Sequence, residues 1–129
     1  MTLIIGGKYQ GKSAYAIQLC GADATIANGA ICTEQEYLNC TILDNLHLHL
    51  ARLLQKKFSL AQIMQQLQAL CAQNPSICII CDEVGCGVVP MSTHDRLYRE
   101  TVGRICCMLA QQAQQVIRVV CGLPIPLKG

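Results

Sequence analysis

The feature that most constrains the fold is an N-terminal stretch in which a short apolar run leads directly into a glycine-rich loop. Residues 3–5 are apolar, and residues 6–13 read Gly-Gly-Lys-Tyr-Gln-Gly-Lys-Ser, the pattern G-x-x-x-x-G-K-S. Glycines in this pattern let consecutive backbone N–H groups surround a phosphate oxygen. An apolar run before the loop and a helical pattern after it predict a buried parallel strand, the loop and a helix. This context disfavours a glycine turn that matches the pattern by accident.

The chemistry of the loop predicts a nucleoside triphosphate with Mg²⁺. Lys12 is expected to reach the β- and γ-phosphates as a point charge, and Ser13 to offer its hydroxyl to Mg²⁺. The helix that begins here points its positive end at the anion. No base-reading motif is legible, so ATP and GTP both stay open. The predicted nucleotide-binding residues of the loop are Gly6, Gly7, Lys8, Tyr9, Gln10, Gly11, Lys12 and Ser13.

A carboxylate follows the apolar run at residues 40–44, Cys-Thr-Ile-Leu-Asp. This run predicts a parallel strand that delivers Asp44 to the carboxyl edge of the sheet, where open α/β sheets bind ligands. Asp44 is therefore a candidate nucleotide-site and metal residue. It could instead cap the next helix, and the two roles can coexist.

A second apolar run, residues 77–81, ends in the adjacent carboxylates Asp82 and Glu83. Such a pair at the end of a strand can hold Mg²⁺ or orient a nucleophile. We predict Asp82 as a metal residue and Glu83 as a catalytic one, together with Lys12. The alternative for Glu83 is a turn or helix-capping acid. Gly85 and Gly87 would let the following loop approach a ligand.

The rest of the chain alternates predicted helices and strands. A capping box at Ser59 starts a helix that Asn74-Pro75 ends, and Ser92 and Asp95 open the last long helix. After the first helix, with Ala14, Ile17 and Cys20 or Ala16 and Leu19 inward, residues 24–27 form a weak strand. Residues 30–33 either continue this strand or form another. Residues 116–121 form the last strand, and residues 122–129 an irregular or edge segment. The predicted fold is α/β, a doubly wound, mostly parallel sheet in one domain, residues 1–129.

The histidines and cysteines do not predict a metal cluster. His47 and His49 lie in a stretch whose periodicity is ambiguous. On a helix they point about 200° apart and cannot share an ion. On a strand they could, but no third ligand is apparent, which favours surface or interface histidines. Among ten cysteines, Cys78 and Cys81 have the spacing of half a zinc site, but residues three apart in a strand face opposite sides. The loop motif instead predicts a reducing compartment.

Composition excludes several classes of protein. The net charge is +2 and no basic stripe alternates with aromatic residues, so nucleic acid is not an indicated partner. The N-terminus lacks a basic segment, and its apolar run is too short for a signal peptide or a membrane span, so we expect a cytoplasmic protein. Hydrophobic residues make up 52% of the chain, which favours a homo-oligomer with the second substrate bound partly between subunits.

Four stretches together resemble the adenosylcobinamide kinase/adenosylcobinamide-phosphate guanylyltransferase family. They are the loop at residues 6–13, the run at 42–54, the Asp-Glu-Val-Gly-Cys-Gly-Val-Val-Pro sequence at 82–90, and Gly103-Arg104. The resemblance implies a P-loop fold of the recombinase type, an oligomer, and two reactions of cobalamin synthesis. These are phosphorylation of the aminopropanol hydroxyl of adenosylcobinamide and transfer of GMP to that phosphate through a histidine.

Carried over by position, the resemblance assigns nucleotide binding to the loop and matches Asp44 and Glu83 to acids of the family's site. The family segment that carries the guanylylated histidine is replaced here by residues 30–40, which contain no histidine. Neither His47 nor His49 occupies its place. The resemblance therefore implies a kinase acting on a corrinoid. The alternative is a nucleotide-binding protein without catalysis that regulates or assembles with a partner of the corrinoid pathway.

Overall fold

A computed structural model of the chain describes residues 1–84 and 92–129, so Gly85 and Gly87 lie outside the described residues. Helices and strands alternate through most of the chain, as the sequence predicts. In chain order, the elements are β1 (Thr2–Gly6), α1 (Lys12–Cys20), β2 (Ile26–Asn28), α2 (Glu34–Asn39), β3 (Ile42–Asp44), α3 (Leu46–Gln55), α4 (Leu60–Gln73), β4 (Cys78–Asp82), α5 (Thr93–Gln112), β5 (Gln115–Val120) and β6 (Leu123–Lys128).

The strands form a six-stranded sheet in the order β2-β3-β4-β1-β5-β6. All neighbours pair in parallel except β6, which pairs antiparallel with β5. A two-residue turn with positive φ at Cys121 and Gly122 joins these last two strands, as is typical of tight hairpins. The predicted mostly parallel sheet is confirmed, and residues 122–129 take the edge-strand alternative.

Two apolar clusters lie on opposite faces of the sheet, and β4 contributes to both. Cys78 and Ile80 pack on one face with Ala16 of α1, while Ile79 and Cys81 pack on the other with residues of α2 to α5. Because helices cover both faces, the sheet is doubly wound. Cys78 and Cys81 point away from each other, as the strand period predicts. Among the helices of the described residues, none combines the length and hydropathy that a bilayer-crossing helix needs.

The predicted starts of the two longest helices are confirmed by their caps. At the start of α4, Ser59 and Gln62 exchange hydrogen bonds between side chain and backbone, which is the predicted capping box. At the start of α5, Ser92 Oγ accepts a hydrogen bond from the backbone N–H of Asp95. These local signals need no tertiary information, because donor and acceptor are three residues apart.

The predicted inward face of α1 is mostly wrong. Ala16 is buried as one alternative predicts, but Ile17 and Leu19 are 40% and 45% exposed and Ala14 is exposed. The helix begins at Lys12, and its buried residues are Lys12 and Ala16, four positions apart on one face. The loop therefore sets the rotation of the helix by turning Lys12 inward, and the small Ala16 follows on the same side.

Residues 30–33 do not form a strand, and a short helix follows that the sequence analysis missed. The chain turns here because the backbone N–H groups of Ile31 and Cys32 donate to the Asn28 carbonyl. Thr33 then caps α2 in a second capping box with Glu36. The sequence does contain the capping-box pattern Thr-x-x-Glu, but the long apolar run that usually follows such a box is absent.

Candidate active site

A groove of about 700 Å³ lies at the carboxyl edge of the sheet, between the loop after β1, the start of α3 and the end of β4. We call it the loop groove. It brings together most of the predicted site residues, which lie as far apart as residue 8 and residue 83 in the chain. Its lining residues are Lys8, Tyr9, Gln10, Gly11, Lys12, Ser13, Ala14, Asp44, Asn45, His47, Leu48, Asp82, Glu83 and Val84.

Gly6 and Gly7 do not line the loop groove. Their contacts are with the neighbouring strands and with Lys12. Gly6 pairs with Asp82 across the sheet, where a Cβ atom would come within 2.6 Å of the Val119 carbonyl oxygen. The carbonyl of Gly7 accepts a hydrogen bond from Lys12 Nζ at 2.6 Å. Gly6 thus allows close packing beneath the loop, and Gly7 holds the lysine. Nucleotide binding by these two glycines stays a prediction.

The loop is anchored to the β5–β6 turn through Gln10. The backbone N–H of Cys121 donates to Gln10 Oε1 at 2.7 Å, and the N–H of Gly122 donates to the Gln10 carbonyl at 2.8 Å. Gly11 has a φ of 94°, a left-handed conformation that glycine adopts without strain, and it directly precedes α1. No pattern in the sequence indicates the anchor, because its two halves lie more than 100 residues apart.

Lys12 is the most enclosed cation of the site. Its side chain is 7% exposed, and Nζ lies 2.7 Å from Oδ1 of Asp82. A buried charge is costly unless it is paired, and here Asp82 and the Gly7 carbonyl are the partners of the ammonium. The sequence predicts both residues at one site, but as separate ligands of phosphate and metal. The structure joins them as an ion pair.

Ser13 and Asp44 also contact each other directly. Ser13 Oγ donates to Asp44 Oδ2 at 2.8 Å, while Asp44 Oδ1 accepts from the backbone N–H of Asn45. The residue that caps α3 is Asn45, in a left-handed conformation, so the alternative in which Asp44 is the helix cap is wrong. A hydroxyl and a carboxylate oxygen in contact are the donor types that Mg²⁺ prefers, so these residues fit that ion.

The described residues offer Mg²⁺ few ligands besides this pair. Within residues 1–84 and 92–129, no group of three or more His, Cys, Asp or Glu side chains could hold a metal ion. Sites that bind Mg²⁺ through one or two carboxylates complete the coordination with phosphate oxygens and water. The geometry of Ser13 and Asp44 therefore suits an ion that arrives with a phosphate group.

His47 is not a surface histidine, and the sequence prediction is wrong for this residue. It is buried, its Nδ1 accepts the backbone N–H of Asp82 at 3.2 Å, and its Nε2 lies 3.4 Å from Asp82 Oδ2. Burial lowers the pKa of His47, despite the opposing effect of Asp82. The neutral imidazole thus holds Asp82 through both backbone and side chain.

Glu83 lines the loop groove, but its carboxylate is held by Arg118. The arginine Nε lies 2.7 Å from Oε1, and a second nitrogen donates to Oε2 at 3.1 Å. The backbone N–H of Glu83 donates to the Gly6 carbonyl, which fixes the residue beside the loop. Arg118 was missed as a site residue. Its signal is a single charge within the apolar run of the last strand, and that run pairs directly with β1.

A family model matches most of the chain. The family model described as cobinamide kinase / cobinamide phosphate guanyltransferase matches residues 24–127, which include Asp44, Asp82 and Glu83. The match begins after the phosphate-loop motif. It covers well over half of the chain.

Two curated relatives are similar over shorter stretches. The bifunctional adenosylcobalamin biosynthesis protein CobU of Escherichia coli (strain K12) is 36% identical over 66 residues, which are 50% of this chain and 36% of that protein. The bifunctional adenosylcobalamin biosynthesis protein CobP of Pseudomonas aeruginosa is 38% identical over 53 residues, 41% of this chain and 31% of the relative. The aligned stretches thus span roughly a third of each relative's length. On the match of the family model, this chain belongs to the cobinamide kinase / cobinamide phosphate guanyltransferase family.

Proposed function

We propose that this protein is a nucleoside-triphosphate-dependent kinase that phosphorylates the aminopropanol hydroxyl of cobinamide or adenosylcobinamide in cobalamin biosynthesis. The observation that carries the proposal is the convergence of Lys12, Ser13, Asp44 and Asp82 in the loop groove. Family membership supports a corrinoid as the acceptor. The groove lies at the carboxyl edge of a parallel sheet, the usual ligand position in this class of fold.

Phosphoryl transfer needs positioning and charge stabilisation more than covalent chemistry from the protein. In the proposed reaction, Lys12 contacts the β- and γ-phosphates, and the loop from Gly6 to Ser13 surrounds the phosphate chain. Because Lys12 is paired with Asp82, the incoming phosphates compete with that carboxylate for the ammonium. Asp82 would then be free to accept hydrogen bonds from water.

Ser13 and Asp44 are the residues that would hold Mg²⁺, and Asp82, which ends the neighbouring strand and also lines the groove, is the second candidate acid. When bound, this ion would neutralise charge on the β- and γ-phosphate oxygens. Because Ser13 and Asp44 are already in contact, the two oxygen donors need little rearrangement to share a ligand.

Glu83 is the proposed orienting group for the acceptor hydroxyl. Its carboxylate is 25% exposed and lines the groove, and Arg118 holds both of its oxygens. The arginine holds the carboxylate in one orientation. Each carboxylate oxygen has a second lone pair, so one oxygen can still accept the proton of an alcohol.

Guanylyl transfer does not form part of the proposal. Residues 30–40 contain no histidine and fold into a turn and α2. His47 does line the groove, but both of its ring nitrogens face Asp82, and the side chain is buried. A nucleophilic imidazole needs an exposed, unoccupied nitrogen.

The test is an assay of the purified protein with ATP or GTP, Mg²⁺ and cobinamide, followed by chromatography for cobinamide phosphate. We expect product with at least one of the two nucleotides and none with Lys12→Ala. A panel of other small alcohols, run in parallel, identifies a different acceptor if cobinamide is not used. Equilibrium dialysis with labelled ATP and GTP measures binding independently of turnover.

A second candidate is a nucleotide-binding protein without catalysis that regulates or assembles with a corrinoid-pathway partner. The observation that favours it is the double hydrogen bond from Arg118, which occupies the carboxylate that would otherwise orient the acceptor. Nucleotide binding without phosphorylation of any acceptor would support this candidate and contradict the kinase.

A further inference from the structure

A second cavity, of about 460 Å³, lies between α2, α3 and α4. We call it the α2–α4 cavity. It shares no lining residue with the loop groove, and α3 separates the two. His47 faces the groove and His49 lines the cavity, as expected for two residues about 200° apart on one helix. Nothing in the proposed kinase reaction uses this cavity.

Three polar atoms in the cavity wall are buried without a hydrogen-bond partner in the part of the chain that the structure describes. They are the Tyr37 hydroxyl and both ring nitrogens of His49. Tyr37 is only 8% exposed, and its ring stacks on the imidazole with centroids 4.7 Å apart. An unpaired buried polar group costs about 1–3 kcal/mol, so three together in one cavity indicate a missing partner.

The charges in the cavity wall indicate the sign of that partner. Arg52 donates to the carbonyls of Gly29 and Cys32, and Lys56 stands one turn further along. Within residues 1–84 and 92–129, neither cation forms a salt bridge. Glu34 is the one acid among the lining residues, so with a neutral His49 the wall carries a net charge of +1. A single negative charge would neutralise it.

The remaining wall of the cavity is largely apolar, so the partner is more than an inorganic ion. Hydrophobic contacts are available from Leu38, Leu53, Phe58, Ala69 and Leu70. Pockets of this size, mainly apolar with a few convergent polar groups, are typical of small-molecule sites. A ligand that fits this cavity therefore has one anionic group attached to a small apolar body.

We propose that the α2–α4 cavity binds a small apolar monocarboxylate, with its carboxylate between Arg52, Lys56 and the Tyr37–His49 pair and its apolar body against Leu53, Phe58 and Leu70. The Tyr37 hydroxyl and one His49 N–H have almost no exposed surface in the structure, so on binding the two stacked rings would turn slightly and donate to the carboxylate oxygens. This pairing satisfies the orphaned donors and the charge at once. The site is independent of the proposed kinase activity, and its test does not require turnover.

The probe is benzoate, with benzyl alcohol as its neutral counterpart and inorganic phosphate as an anion without an apolar body. Each is titrated into the full chain while the imidazole and tyrosine ring signals are followed by NMR. The His49 signals are assigned by comparison with the His49→Phe protein. We expect saturable shifts at His49 and Tyr37 with benzoate, at least about tenfold tighter than with benzyl alcohol.

Lys56→Gln is the informative variant because Lys56 is exposed at the end of α3, where its loss leaves the core intact. Its matched control is Lys57→Gln, the neighbouring exposed lysine that does not line the cavity. We expect benzoate to bind Lys56→Gln about tenfold more weakly and Lys57→Gln as the unmodified protein does.

Several results would overturn the site. They are equal affinity for benzoate and benzyl alcohol, equal loss in the two lysine variants, or shifts at His49 produced as strongly by phosphate alone. A crystal soaked in benzoate that shows only ordered water between Tyr37, His49 and Lys56 would overturn it as well, because water would then be the missing hydrogen-bond partner.

Discussion

The ammonium of Lys12 lies 2.7 Å from the carboxylate of Asp82, and each side chain is enclosed by the loop and the edge of the sheet. These residues come from the two parts of the chain that sequence patterns assign to phosphate and to metal. Their contact leaves the ammonium already paired with a carboxylate. Under the proposed function, nucleotide binding would exchange this carboxylate partner of Lys12 for phosphate oxygens.

Lys12→Ala is expected to reduce turnover by at least about 100-fold, because it removes the buried charge nearest the transferring phosphate. Lys8→Ala is the control, since Lys8 is exposed at the rim of the same groove and should cost less than about tenfold. The measurement is kcat/KM for cobinamide phosphorylation, with nucleotide affinity by dialysis. Equal losses in both variants would contradict a specific role for Lys12.

His47→Phe is expected to destabilise the protein by about 1–3 kcal/mol, because the Asp82 N–H and one carboxylate oxygen lose their partner. The matched control is His49→Phe on the same helix, whose nitrogens have no partner among the described residues. That substitution should be neutral or stabilising. Urea denaturation of both variants checks the difference. A similar cost for each would mean that packing, not the contact with Asp82, sets the role of His47.

The burial of His49 should make the stability of the protein depend on pH. Burial, assisted by Arg52 and Lys56, lowers the pKa of His49 from 6.5 to about 4. Between these values the unfolded chain binds a proton that the folded chain does not, so stability falls as the pH decreases from 6.5 to 4. The loss is at most about 3 kcal/mol.

This pH effect is measured by urea denaturation at several pH values, with His49→Phe as the comparison. The variant should retain only the smaller dependence caused by other groups, including His47, whose pKa is lowered in the same direction. An unchanged slope in the variant would show that His49 titrates normally in the folded protein.

Replacing each of two glycines by alanine should change the stability of the protein in opposite directions. At Gly6 a Cβ atom would meet the Val119 carbonyl oxygen at 2.6 Å, a contact that backbone atoms cannot relieve cheaply, so Gly6→Ala should cost more than about 2 kcal/mol. At Gly103, on the exposed side of α5, a Cβ meets nothing within 4 Å. Gly103→Ala should stabilise the protein by roughly 0.5–1 kcal/mol through helix propensity. Thermal denaturation of both variants tests the pair.

Homo-oligomer formation stays a prediction, and the edge strand β6 is where we expect it. Leu123, Ile125 and Leu127 alternate along this strand and are 67%, 44% and 56% exposed. Because Pro124 and Pro126 in this strand cannot donate backbone hydrogen bonds, we expect the contact to form through the exposed apolar side chains rather than by strand pairing. Ile125→Lys should therefore reduce the mass measured by light scattering, whereas Ile31→Lys, at an exposed turn residue far from β6 in the chain, should not. The same mass in both variants would place the contact elsewhere.

Patterns within a few residues of one another were sufficient for much of the fold. The period of apolar residues predicts the strand, loop and helix at the N-terminus. Short-range hydrogen bonds predict the capping box of α4 and the start of α5. Asp44 and Asp82 were placed at one edge because parallel strands all end on the same side of a sheet.

The pairings inside the site depend on the order of the strands, which no local pattern encodes. Because β4 and β5 flank β1, Asp82 comes opposite Gly6 and Arg118 opposite Ile5, and Arg118 then reaches Glu83. The amphipathic period of α3 does not reveal that one of its histidines holds Asp82 while the next lines a separate cavity. The sequence therefore determined which chemical groups gather at the sheet edge. The tertiary structure decided which of them touch, since contacts across a sheet join residues that are distant in the chain.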